Sequence, residues 1–154
     1  MTPEQAFIQA TKFRAKAYFY FFDELSEEIG EEKAKEVLSK AIYRLGIDKS
    51  NTFAEESETS AKILSDEFIK DEIGRNVFDQ AVLSGNNKQA SIEMKNCPLV
   101  EMWKEMKLSK DMIQKLCDMA HQIDFGTVEG KGFNLKFASR ISYGNKSCIL
   151  EISK

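Results

Sequence analysis

The amino-acid sequence predicts an α+β fold in which N-terminal helices, joined by two further short helices, pack against an antiparallel sheet of about four strands. Three observations carry this. Behind a capping Thr2, the stretch from Pro3 to Ile29 has no glycine and no further proline. Glu31 to Leu45 places Ala34, Val37, Leu38, Ala41, Ile42 and Leu45 at helical spacing. The apolar period then shortens to two on either side of Gly85-Asn86 and before and after Gly144-Asn145. A chain of 154 residues builds one well-buried core, so one domain is expected over 1–154, helical over 1–74 and mixed over 75–154.

Each element has its own signals. In the first helix, Ala17-Tyr18-Phe19-Tyr20-Phe21-Phe22 sets aromatic rings all around the axis, which predicts cover on several sides: by the core, by a second subunit, or by lining a ligand pocket. Gly46 is expected to close the second helix. From Asp48 to Gly74 the chain is acidic, and Phe53, Ala61, Leu64 and Phe68 predict a third helix with a solvated carboxylate face. Glu55, Glu56 and Glu58 fit that face better than a metal site, for no histidine follows at helical spacing. Phe78, Gln80 and Val82 alternate toward Ala90, Ile92 and Met94 as a hairpin. Pro98 suits the first position of a helix, which makes Cys97 its N-cap, and Ser109 caps the next, with Met112, Ile113, Leu116, Cys117 and Ala120 as its stripe. A glycine-bearing loop over 126–132 leads to Phe133, Leu135, Phe137 and Ile141, and the returning strand carries Cys148, Leu150 and Ile152, with Cys148 expected opposite Ile141.

Composition excludes some function classes. A net charge of −3 with acidic residues throughout gives no electrostatic footprint for nucleic acid or anionic membrane. No run approaches the ~20 apolar residues a membrane span needs, and the N-terminal segment lacks a signal-peptide layout, so a soluble cytoplasmic protein is expected. Three cysteines, an odd number, argue for reduced thiols rather than a disulfide scaffold.

Those thiols and the lone histidine point to the C-terminal part: Cys97, Cys117, His121 and Cys148 all lie there, and nothing comparable precedes them. Thiols and imidazole are the groups best suited to nucleophilic work near neutral pH. At a helix N-cap, Cys97 would face the positive end of the helix dipole, which favours the thiolate; a small residue packed at a strand-to-helix corner is the other reading. Cys117 and Cys148 sit at apolar positions that suit packed thiols. Cys117 and His121 share one helix face, so a zinc set with Cys97 and Cys148 is conceivable, but the paired C-x2–4-C spacing of structural zinc is missing and no metal or other cofactor is expected. Asp118 and Asp124 flank the histidine as base or orienting partner. Asp124-Phe125-Gly126 lacks the lysine strand and catalytic loop of a kinase, and Gly126, Gly130 and Gly132 precede a strand rather than open a phosphate-binding helix.

Asn96-Cys97-Pro98-Leu99, Leu116-Cys117-Asp118, Phe133-Asn134-Leu135-Lys136-Phe137, and Gly144 followed by Cys148 together resemble the L-2-amino-thiazoline-4-carboxylic acid hydrolase family. The likeness is concentrated between Asn96 and Ile152, and Leu135 stands where members of that family often carry proline. The resemblance implies hydrolytic opening of a cyclic amidine-like thiazoline to a carbamoyl-cysteine product. It places Cys97, His121 and Asp118 in catalysis and Cys117, Asn134 and Cys148 around the substrate. Two versions are open: attack by a Cys97 thiolate on the ring carbon between nitrogen and sulfur, or attack by water with the thiols shaping the pocket. The rival class is a small-molecule-binding or sensor domain that turns nothing over, since function resides in the site rather than the family. Self-pairing into a homodimer through the Tyr18 to Phe22 face is compatible with both.

Overall fold

A computed structural model describes all residues, Met1–Lys154. Two long helices, α1 (Pro3–Ile29) and α2 (Glu31–Ser50), are followed by a 3-10 turn (Glu55–Glu58) and two short helices, α3 (Ala61–Phe68) and α4 (Glu72–Phe78). Strands β1 (Gln80–Gly85) and β2 (Gln89–Met94) come next, then α5 (Pro98–Glu105), α6 (Lys110–Ala120) and α7 (Gln122–Glu129). Strands β3 (Asn134–Ser139) and β4 (Cys148–Ser153) complete an antiparallel sheet of order β1-β2-β4-β3. The α+β class read from the sequence is the fold observed.

Local chemistry sets the ends. Thr2 Oγ1 accepts from the Gln5 amide at 3.1 Å while the Gln5 side chain accepts from the Thr2 amide at 2.8 Å, a reciprocal cap that starts α1. Ser109 caps α6 by accepting from the Met112 amide at 3.1 Å. Both edge strands carry a register irregularity against their inner neighbours, β1 between Val82 and Ser84 and β3 between Phe137 and Ser139.

Two apolar clusters fill the interior. One lies among α1, α2, α5 and α6 around Phe22, Trp103 and Leu116; the other lies between α3 and the sheet around Leu64, Ile92, Phe133 and Leu150. Trp103 is fully buried, and its indole N–H donates to the Ala15 carbonyl at 2.8 Å, so α1 and α5 are joined by a satisfied hydrogen bond as well as by packing.

Several expectations need correcting. Gly46 does not end α2: the helix continues to Ser50, and the glycine instead lets α7 approach, since an added Cβ would strike the Ile123 carbonyl oxygen. Gly126 does the same from the other side, where a Cβ would strike the Tyr43 carbonyl oxygen, so the first part of the expected loop over 126–132 is helix. The acidic region holds a 3-10 turn and two helices rather than one helix, and Phe78 ends α4 instead of opening a strand. Ile141 falls in a 3-10 turn (Ile141–Tyr143), outside the β3–β4 ladder, although its amide donates to Cys148 Sγ at 3.3 Å. The aromatic run is covered only in part: Phe22 is buried, whereas Tyr20 and Phe21 are exposed.

Candidate functional site

Residues of α1, the end of α2, α3, α4, the α5–α6–α7 unit and the sheet line a cavity of about 420 Å³, in the range that holds drug-sized ligands. Cys97, Cys117, His121 and Cys148 all line it. Each arrives from a different local cause: Cys97 stands at the strand-to-helix corner ahead of Pro98, Cys117 lies one turn before the end of α6, His121 sits where α6 passes into α7, and Cys148 opens β4. No group of three or more His, Cys, Asp or Glu is arranged to hold a metal ion.

His121 is the centre of this end of the cavity. Its Nδ1 lies 2.8 Å from Asp124 Oδ2, both side chains are nearly buried, and Cys117 and Cys148 are close enough to act on the ring. Burial alone would lower the histidine's pKa. The Asp124 carboxylate and the two thiols outweigh it and hold the pKa well above the usual value, which favours the protonated ring. The Phe137 ring, with its centroid 4.1 Å away, fixes the imidazole from one side.

At Cys97, burial works against the thiolate, one of the two readings that the sequence leaves open. Burial pushes its thiol up to about 11, and the pull of the Val100 amide at the start of α5 does not offset this. Its side chain makes no capping hydrogen bond within the geometric limits of one, so the pull of the helix start is weak. At neutral pH Cys97 is a thiol.

Asp118 and Asn134 lie away from the cavity. Asp118 is on the outer face of α6, where Oδ1 accepts from Arg140 at 2.7 Å and from the Tyr143 hydroxyl at 2.8 Å, while Lys35 stands 3.4 Å from Oδ2. Asn134 is exposed on the edge strand β3, paired with Ser153. Asp124, three residues after His121 as Asp118 is three before, is the carboxylate that meets the ring.

The opposite part of the cavity carries residues that the sequence did not single out. Arg14 and Tyr18 reach it from α1, Lys49 from the end of α2, and Phe7, Phe53, Phe68 and Phe78 supply aromatic walls. Arg14 forms part of a stripe, Phe7-Thr11-Arg14-Tyr18-Phe22, whose other members are buried or half-buried; a cation at core spacing was the signal available. Lys49 Nζ lies 4.5 Å from the Phe68 ring centroid. Although the residue as a whole is exposed, its ammonium group is desolvated, which lowers its pKa. Burial likewise raises the Tyr18 pKa, opposed by Arg14.

Fold and cavity together define a class of small proteins in which helices and an antiparallel sheet enclose a ligand-sized space. Within it, a sequence profile of the L-2-amino-thiazoline-4-carboxylic acid hydrolase family matches residues 10–151, and the chain belongs to that family. No curated protein matches it in sequence. Similar solved structures include a trafficking protein particle complex subunit 3 from Naegleria fowleri, covalently bound to palmitic acid, with TM-score 0.63, 12% identity, and 94% of each chain covered. The phenol-responsive sensory domain of the transcription activator PoxR, solved with phenol, has TM-score 0.52 and 10% identity, covering 93% of this chain and 73% of that one. At these identities the likeness is one of fold.

Proposed function

We propose that this protein opens a cyclic thiazoline or amidine-type ring of the L-2-amino-thiazoline-4-carboxylate kind by hydrolysis, giving a carbamoyl-cysteine product. The observation that carries this reading is the buried His121–Asp124 pair, 2.8 Å apart, on a cavity walled by three thiols. In the proposed reaction His121 donates a proton to the ring nitrogen, which makes the carbon between nitrogen and sulfur a better electrophile. Water adds to that carbon and gives a proton back to the now neutral His121; as the adduct's hydroxyl becomes the carbonyl the ring C–S bond breaks, and the hydroxyl proton passes to the leaving sulfur, which becomes the product thiol. Asp124 keeps the imidazolium charged and oriented. Cys97, Cys117 and Cys148 shape the wall around the ring. The protonated state of Cys97 favours water over a cysteine thiolate as nucleophile.

The two nucleophiles separate cleanly in experiment. If water attacks, Cys97→Ala keeps turnover of the thiazoline within about fivefold and no covalent adduct is seen by mass spectrometry. Loss of turnover in that variant, with an adduct trapped on Cys97 in the wild type, would establish the thiolate version.

The second reading is a binding or sensor domain. It is favoured by the extent of apolar wall, and by the fold likeness to structures that carry palmitic acid and phenol. Incubation with L-2-amino-thiazoline-4-carboxylate decides: saturable binding without product supports the sensor. Three free thiols suit a reducing, cytoplasmic setting, and no helix is long and apolar enough to cross a membrane. Phe13, Tyr20 and Phe21, exposed along α1, are the surface we assign to self-pairing. Light scattering that finds the wild type monomeric at all concentrations removes that assignment.

A further inference from the structure

The cavity holds more positive charge than its own residues neutralise. Asp124 is taken by His121, and Lys70 by Glu67 at 2.7 Å. Asp71 has one carboxylate oxygen occupied by the Gly74 amide at 3.0 Å and is exposed. Arg14 and Lys49 have no carboxylate within ion-pair distance, and the Arg14 Nε is buried without any hydrogen-bond partner. The two cations are near enough to feel each other's charge, and burial disfavours the charged form of Lys49. Two like charges at an apolar wall, with Asp124 and Asp71 acting on Lys49 only from beyond ion-pair distance, are costly, and a ligand anion placed between them lowers the cost.

Size adds a second constraint. A single small ring with a carboxylate fills roughly a third of a pocket of this volume. The remaining wall is aromatic, with Phe7 and Phe78 edge to face at 6.4 Å and Phe53 and Phe68 each beneath a lysine ammonium. Such a wall holds water poorly and apolar groups well.

We propose that Arg14 and Lys49 form a carboxylate-binding pair that anchors an amphiphilic monocarboxylate, whose apolar part lies along Phe7, Phe53, Phe68 and Phe78. This deepens the ring-opening reading and rests on it only for placing the reacting end of the ligand toward His121. The pair sets the register: a carboxylate held between two helices leaves the far end of the ligand one orientation in which to meet the imidazolium. The substrate class that follows is a thiazoline-type carboxylate carrying an aromatic or alkyl substituent, rather than the bare ring.

Calorimetric titration of the purified protein with 4-phenylbutyrate and with its uncharged isostere 4-phenylbutanamide tests the pair without requiring turnover. The acid is expected to bind at least about tenfold more tightly than the amide. Arg14→Gln and Lys49→Met should each erase most of that preference while changing amide affinity by less than about twofold, and Arg14→Lys should keep part of it. Circular dichroism verifies that each variant is folded. Equal affinities for acid and amide in the wild type, absence of saturable heat for both, a preference that survives both variants, or equal weakening of both probes would each overturn the proposal. Acid preference in a protein that never opens the thiazoline overturns the ring-opening reading and leaves the pair standing; turnover without acid preference does the reverse.

Discussion

Two carboxylates, Asp118 and Asp124, stand at equal spacing on either side of His121, and the molecule uses them in opposite ways. Asp118 is 28% exposed and gathers Arg140, Tyr143 and Lys35 on the outside of α6. Asp124 is 13% exposed and gives an oxygen to the imidazole on the inside of the α6–α7 corner. The outer cluster ties the 3-10 turn before β4 to the helices by solvent-screened pairs, which contribute little individually. The inner pair works in a low-dielectric wall, where the same charge decides a protonation state. Burial, rather than residue type, separates the carboxylate that faces solvent and surface cations from the one that faces the ring.

The sharpest way to break this contrast is at His121. His121→Gln should lower thiazoline turnover by about 10²–10⁴-fold, the usual contribution of a placed proton donor, and steady-state kinetics that show no change would end its assigned role. Next in size is Trp103→Ala, which removes a fully buried ring and its bond to Ala15 and should cost about 3–5 kcal/mol in urea unfolding. A single shared transition for both apolar clusters in that experiment is the outcome expected of one domain over 1–154; two separated transitions contradict it.

Gly126→Ala asks whether the corner is set by close helix contact. The added methyl would meet the Tyr43 carbonyl, so α2 and α7 must part, at a cost of about 1–3 kcal/mol. A weaker His121–Asp124 pair should accompany it, seen as a histidine proton that leaves at lower pH in NMR titration. In the wild type the sign is fixed by the raised histidine value. The stabilisation is fully present below the unfolded histidine pKa of about 6.5 and disappears as pH rises through the higher folded value. Stability of wild type minus His121→Gln, measured against pH, should fall over that window; a difference that grows with pH contradicts the assignment. The smallest effect is predicted for Asp118→Asn: about 1 kcal/mol or less in stability and turnover within about twofold. A loss as large as that of His121→Gln would reverse the roles of the two carboxylates.

Much of the frame was legible because it depends on local chemistry. Thr2-Pro3, Cys97-Pro98 and Ser109 mark helix starts wherever they occur, and alternation around Ile92 and Leu150 has only one buried face to choose. What failed was what depends on contact at a distance. Gly46 looks like a helix end and Gly126 like the start of a loop in a sequence, but here they face one another across two helices. Asp118 and Asp124 are equivalent by spacing, and only the turn of the chain at His121 selects between them. Arg14 and Lys49 were not singled out, because the sequence does not reveal which helix face closes a cavity.

The irregular pairing at both sheet margins has a consequence for behaviour at high concentration. Each outer strand departs from even register partway along, so neither presents a straight, regularly spaced row of free amide and carbonyl groups to a neighbouring molecule. Growth of the sheet from chain to chain, the first step toward fibrous aggregates, is thereby denied a template on either flank.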